Sequence, residues 1–538
     1  MTIRFSFRKL LLASAVVFAG ASAAYPQTVD SDNQIVDEGL NRSEVMKLAH
    51  ELVDGIGPRL SNSPKMREAE EWAIAKFKQW GLTNVRREGF EFGRGWSINA
   101  SDVQMISPRA MPITAIPIAW TPATAGTIRA EVAFAPISKE EHFAKWRGKL
   151  AGKIVFISLP GTGDEPDKPA FQRLESKDIA KFDEFSLPDF DPAAEDRRQK
   201  RVLFAEKLDA FLKAEGALAI VRRSRRDGKL LHGEGYAYLK GRSLALPAVE
   251  IAAEDYRRIA RFAKSGPAPV ISINSDVQYH DNDSMAYNII GEIAGTDPKA
   301  GYVMAGAHFD SWAGGDGAVD NGAGSVTVME AARILSKLNK RPRRTIRFAL
   351  WAAEEQGLLG SLAYIEKHMA SRPPAPADAP SPSFGWAERF PITVKPGHAE
   401  MKAYFNMDNG SGKFRGIYAE GNPAAIPLLN KWIAPFRAMG LEKVVAGPTG
   451  GTDHVFMQTV GLPAYQFIQD PLDYFARLHH TNVDTFDHLR PNDLRQTSVV
   501  MAGVLLAAAN DKDELARQPV PTKPNPTDPF KYEDPDRD

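Results

Sequence analysis

The chain reads as an α/β protein: a mixed, mostly parallel sheet flanked by helices and interrupted by an inserted β/α domain. Three observations predict this. From about residue 276 onward, apolar runs of strand length alternate with helix-length amphipathic segments, the pattern of a parallel sheet covered on both faces. Between about 115 and 272 the texture changes to short β-type runs around one clear helix. Finally, 538 residues exceed what one ordinary core holds, and 43% hydrophobic with 25% charged residues is a soluble globular composition.

Residues 1–24 read as a signal peptide. MTIRFSFRK is a positive n-region, LLLASAVVFAG an apolar h-region too short to span a bilayer comfortably, and ASAA offers small residues for cleavage near Ala23 or Ala24. No later stretch approaches about eighteen uninterrupted apolar residues, so no stable membrane span is expected after cleavage. The expected location is exported, periplasmic or secreted. Without cysteine, disulfides, a thiol nucleophile, thiolate metal sites and a lipidated N-terminal cysteine are all excluded. Lys+Arg and Asp+Glu balance at 67 each, so no basic field attracts nucleic acid.

Residues 25–114 begin the main domain. NRSEVMKLAHELVDGIGPRLSNSPKMREAEEWAIAKFKQWG predicts two helices around a Gly-Pro turn, with Ala69, Ala73, Phe77 and Trp80 on one face of the second. HELVD is not a zinc-protease HExxH, because Asp54 stands where the second histidine must be. In the insert, IRAEVAFA, GKIVFISLP and GALAIVRR predict strands, and FAEKLDAFLKAEG an amphipathic helix. The charged stretch from about 163 to 202 reads as a solvated loop. Residues 273–512 resume the main domain and carry the site. Residues 371–397, rich in Pro, Ala and Ser, read as a surface loop, and the proline-rich, charged segment 513–538 as a disordered tail.

The polar exceptions collect at strand ends. His308 and Asp310 end GYVMAGAHFD, Glu354 and Glu355 end TIRFALWAAEE, and Asp408 ends MKAYFNMDN. In open α/β sheets, ligands sit outside the carboxyl ends of the strands. The loops GGDGAVDNGAG, with Asp320, and RLHHTNVDTF, with His479 and His480, add candidates. A buried strand would bury one carboxylate of an EE pair unpaired, at several kcal/mol. Beyond the strand end both can turn into a shared crevice. No G-x-S-x-G elbow, P-loop or dinucleotide fingerprint competes. Two imidazoles and several carboxylates without thiolates suit zinc or a similar divalent transition metal. One catalytic zinc needs only three protein ligands, so the surplus implies two ions. Such a pair, about 3.5–4 Å apart, forms a hydrolase site in which an unligated carboxylate serves as base.

At these residues the chain resembles the zinc aminopeptidase and carboxypeptidase family. The family's H-x-D is matched by His308 to Asp310, G-x-x-D by Gly317 to Asp320, and AEE-x-G-L-x-G-S by Ala353 to Ser361. The later strand-end Asp is matched by Asp408, and H-T-x-x-D-T by His480 to Thr485. GIGPRLS and the insert, which resembles the protease-associated domain, extend the likeness over most of the chain. The resemblance implies the zinc exopeptidase fold and two Zn2+. It implies that Asp320 bridges the ions, His308 and Asp408 complete one site, and Glu355 and His480 complete the other. It makes Glu354 the general base, with Asp310 orienting His308 through the second ring N–H, and it implies a cis peptide at Asp320–Asn321.

There are departures. Many relatives carry Tyr where His479 stands, and GGTDHVF at 450–456 resembles a loop near relatives' sites. His479 and His454 are therefore candidate substrate contacts. The expected activity is hydrolysis of dipeptides or the terminal residues of short peptides by a metal-bridged hydroxide. Two other readings stay open: a non-catalytic binding protein of the same fold, and a single-zinc glutaminyl cyclase. The keeping of Glu354 beside Glu355 argues against a vestigial site. A homodimer is left open as the assembly.

Overall fold

In a computed structural model, residues 28–163, 168–186, 192–377, 379, 381 and 383–524 are described. The leader at 1–24 lies outside them. The main sheet has eight strands: β1 (Thr83–Glu91), β2 (Met285–Ile293), β3 (Tyr302–His308), β4 (Thr345–Trp351), β5 (Met401–Asn406), β6 (Phe414–Tyr418), β7 (Lys443–Val445) and β8 (Ala464–Gln469). Their spatial order is β1-β2-β4-β3-β5-β8-β6-β7. The centre is parallel from β4 through β3 and β5 to β8, while β1 and β2 at one flank and β6 against β8 run antiparallel. The fold class read from the sequence therefore holds.

Side chains alternate across this sheet, as a period of two requires. Val303, Ala305 and Ala307 of β3 join Ile346, Phe348 and Leu350 of β4 in one core. That core is completed by helices α1 (Ala323–Ser336) and α2 (Pro491–Asn510). Tyr302, Met304, Ala349 and Trp351 face a second core under Leu362, Tyr364 and Met457. A helix at Thr28–Leu40, which the sequence reading leaves unassigned, adds Ile35 to the first core.

A second eight-stranded sheet draws its strands from residues 95–280, a span that encloses 115–272. Its two longest strands, Gly95–Ser107 and Val270–His280, pair antiparallel. The short strands Ile128–Phe134, Ile154–Phe156, Ala219–Arg223 and Ala248–Ile251 run parallel to one another. This part is joined to the main domain by aromatic packing. Phe92 stacks on Tyr238 at 4.6 Å, and Trp120 meets Tyr238 at 5.5 Å and Trp312 at 6.3 Å.

Three loop readings need correction. The stretch from 163 to 202 is not simply solvated: Arg173 pairs with Asp470 and Asp493 at 2.9 Å each, and helices form at Ser176–Lys181 and Pro192–Ala214. Two buried carboxylates on the main domain give the loop something to bind. Within 371–397, Trp386 is buried and donates to Glu366 Oε1 at 2.7 Å, because a large ring outweighs its polar, small-residue surroundings. Of the tail, residues 513–524 are described, and their first part packs. Leu515 is buried, Arg517 donates to the carbonyl of His398 at 2.9 Å and to that of Met401, and Glu514 pairs with Lys402 at 3.0 Å. Composition alone hides a single anchoring leucine and arginine.

Candidate metal centre

Register brings the strand-end groups together. In the parallel ladder His308 stands opposite Trp351, and Gly306 opposite Asn406. Glu354 and Asp408 follow those partners by three and two residues, so all three leave the sheet at one edge. Ala353 adopts φ +56°, a left-handed turn that takes the chain off the strand line just before Glu354 and Glu355. The peptide N–H groups of both glutamates donate to the carboxylate of Asp310, at 3.1 and 3.3 Å, and Ser61 Oγ donates to it at 3.0 Å.

Asp310 differs from its expected part. His308 Nδ1 hydrogen-bonds the Asp310 main-chain carbonyl at 3.0 Å, while the Asp310 carboxylate lies 3.7 Å away. The carboxylate is drawn instead to the two glutamate N–H groups. His308 is oriented all the same, with Nδ1 as donor and Nε2 directed to Asp320 Oδ1 at 3.3 Å and Asp408 Oδ2 at 3.7 Å.

Asp320 lies between the two histidines: its Oδ1 faces His308 and its Oδ2 is 3.5 Å from His480 Nε2. The loop carrying it is tightly held. Gly317 adopts φ +61°, and a Cβ there would stand 2.3 Å from Ser311 Cβ, so only glycine fits. The Asp320–Asn321 peptide is cis. Asp484 accepts from the N–H groups of Val319 and Asp320 at 2.7 and 3.0 Å. Arg59, fully buried, donates to the carbonyls of Phe309, Gly57, Asp316 and Gly317 at 2.8–3.0 Å.

His480, at φ +60°, carries Nε2 to within 3.0 Å of Glu355 Oε2. Its Nδ1 is 2.8 Å from Glu234 Oε1, a carboxylate of the second domain. His479 lies against His480 with tilted rings 3.8 Å apart and meets Tyr474 at 5.1 Å, and it lies close enough to Asp320 and His480 to share a cation with them. His454 is not brought to this cluster. It is fully buried, with Nε2 3.3 Å from both Thr449 O and Glu420 Oε1. The neighbouring Asp453 is the member of that pair whose charge interacts with His308, Asp408 and Asp310.

The electrostatics are those of acids crowded in a dry space. Burial pushes Glu355 up to about 7, against His480, and Asp453 up to about 7, against His308. Burial likewise raises Glu354 well above the carboxylate range. His308 and His480 are held high despite burial, chiefly by Glu354 and Asp408 for the first and Glu355 for the second. Burial takes His479 down to about 4.

The residues present fit divalent cations. Asp320 Oδ2, both Glu355 oxygens and Asp408 Oδ1 are buried without a hydrogen-bond partner. Orphaned carboxylate oxygens are costly unless a cation faces them. Around a tetrahedral zinc with bonds of about 2.0–2.2 Å, ligand atoms stand roughly 3.3 Å apart. The separations across His308–Asp320, His480–Asp320, His480–Glu355 and His308–Asp408 run from 3.0 to 3.7 Å. All but one of these pairs meet at Asp320 or Glu355: ligand atoms of Asp320, His479 and His480 lie within 4.8 Å of one another, as do those of His308, Asp320 and Glu355, and Glu354 belongs to neither cluster.

Sequence reading passes over Arg59, Asp484, Asp453 and Glu234. The first three sit inside the motifs GIGPRLS, HTNVDT and GGTDHVF, but their partners lie far along the chain. Glu234 has no local signal at all.

Residues 288–505 match the family model described as Peptidase family M28. Over 466 residues, 86% of this chain and 85% of the relative, the sequence is 25% identical to carboxypeptidase Q of Mus musculus. The structure of a peptidase M28 precursor from Shewanella amazonensis SB2B is 26% identical, with a TM-score of 0.63 over 92% of this chain and 99% of that one. A zinc aminopeptidase from Bacillus subtilis, 18% identical, shares the fold at a TM-score of 0.55 over 87% of this chain and 95% of that one.

Proposed function

We propose, from the match of residues 288–505 to the model of Peptidase family M28 and the likeness to zinc peptidases, that this chain is an exported di-zinc exopeptidase acting on dipeptides or the ends of short peptides. The observation that carries the two-ion reading is the placing of Asp320, with one carboxylate oxygen toward each imidazole. His308, Asp320 and Asp408 would hold one ion, and His480, Asp320 and Glu355 the other. When bound there, zinc supplies Lewis-acid polarisation of the scissile carbonyl and a lowered pKa for water.

The chain's own residues do the rest. Glu354 takes a proton from the attacking water at its carboxylate as the C–O bond forms, then delivers it to the departing amine as the C–N bond breaks. Asp310 fixes the peptide that aims Glu354, and the carbonyl of Asp310 fixes the His308 tautomer. His479, kept neutral by burial, would serve as a substrate contact. An exopeptidase reading is supported by the likeness to carboxypeptidase Q along 85% of that relative. Export rests on the leader pattern; among the described residues no helix is long and apolar enough to cross a membrane.

Two measurements test this. The purified protein should carry close to two zinc equivalents, lose activity on chelation and regain it with Zn2+; one equivalent or less at full activity overturns the two-ion reading. Matched peptides blocked at the amino or carboxyl end should separate into one set hydrolysed and one refused, naming the end recognised. Equal cleavage of doubly blocked peptides would mean an endopeptidase.

A further inference from the structure

The two histidines are oriented by different means. His308 Nδ1 is satisfied by a carbonyl two residues along its own chain. His480 Nδ1 is satisfied by Glu234, 246 residues earlier, in the segment between strands Ala219–Arg223 and Ala248–Ile251 of the second domain. Glu234 is itself clamped: Arg225 donates to Oε1 and Oε2 at 2.8 and 2.9 Å. The same segment grips the His480 loop along its backbone. Leu231 N donates to Asn482 Oδ1 at 2.7 Å, Asn482 N to Leu231 O at 3.0 Å, and Arg226 to the carbonyl of His479 at 3.3 Å. Trp312 packs on both Tyr236 and His480, at 5.8 and 6.1 Å.

We propose that Glu234 is a positioning residue of the metal centre, supplied by the second domain: by accepting from His480 Nδ1 it fixes the tautomer and the ring so that Nε2 faces Asp320 and Glu355. A carboxylate behind a ligating imidazole raises its basicity and holds its plane. Affinity for the ion held by His480, Asp320 and Glu355 therefore depends on the second domain being seated, whereas the ion at His308 and Asp408 needs only the main domain. This rests on the two-ion reading above.

The test uses the full chain stripped of metal, titrated with Zn2+ against a chromophoric chelator, and with Co2+ followed by its visible absorption. Wild-type protein should bind two equivalents; a single equivalent would defeat the two-ion reading rather than this one. In Glu234→Gln one equivalent should weaken by about 10–100-fold and change its Co2+ spectrum, with the other unmoved. Arg225→Met, which frees the clamp but leaves the carboxylate, should weaken the same equivalent by a smaller factor and serves if Glu234→Gln does not fold. Arg257→Gln, which breaks the second domain's own pair with Asp227 at 2.7 Å, should leave both affinities alone. Two wild-type affinities in Glu234→Gln, or in Arg225→Met when only that variant folds, would overturn the proposal, as would equal weakening in Arg257→Gln.

Discussion

Replacing Glu354 with Gln should lower kcat by roughly 10²–10⁴-fold, the usual contribution of a general base, while zinc content stays at the wild-type level. The substitution keeps side-chain volume, and the Glu354 peptide N–H that bonds Asp310 belongs to the backbone, so the local turn is preserved. Glu354 stands outside both ligand groups, so no ligand is lost. The adjacent Glu355→Gln should behave differently: its carboxylate is 3.0 Å from His480 and has two orphaned oxygens, so metal should be lost along with turnover. Measuring kcat together with metal content in both variants separates the roles. Activity within about tenfold of wild type in Glu354→Gln would remove the base from the mechanism.

Arg59→Met should produce the largest fall in stability of any single change at the centre, at least about 2 kcal/mol, read as a lower unfolding midpoint in the metal-free protein. The guanidinium is wholly buried and serves four main-chain carbonyls, and each buried acceptor left without a donor costs roughly 1–3 kcal/mol. Of the four, Gly317 O keeps a bond from Gly322 N and Asp316 O is only partly buried, which is why the lower bound counts two. The cation also faces Asp484, Asp310, Asp316 and Asp320, whose mutual repulsion it offsets. Burial already draws Arg59 down to about 10, still protonated at neutral pH. A midpoint unchanged from wild type would mean that these carbonyls find water, and that the 309–320 loop is held by other contacts.

The sheet was legible because buried strands advertise themselves as apolar runs, and because charges that end such runs need a reason to be there. Register then carries His308, Glu354 and Asp408 to one edge without further information. Less could be read where the structure depends on distance along the chain. Glu234 and His480 meet across 246 residues, and GEGYA carries no period or motif to announce it. Asp453 was overshadowed by His454 beside it, since an imidazole draws attention as a ligand while a buried acid next to it looks like a cap. The second sheet's longest strand, beginning at Gly95, continues the texture of the first domain, so composition does not mark where one sheet yields to the other. The anchored start of the tail hangs on Leu515 and Arg517, too few residues to outweigh the prolines around them.

Asp484 fastens the amides of Val319 and Asp320, and four positions before it His480 reaches the same acid from the opposite side. That short span is a spacer of set length. One residue added or removed between them would slide one grip past the other by about 3.3–3.6 Å, more than a hydrogen bond tolerates. Changes in the number of residues at 481–483 should thus be eliminated over descent, whatever side chains stand there, whereas surface turns elsewhere lengthen and shorten freely.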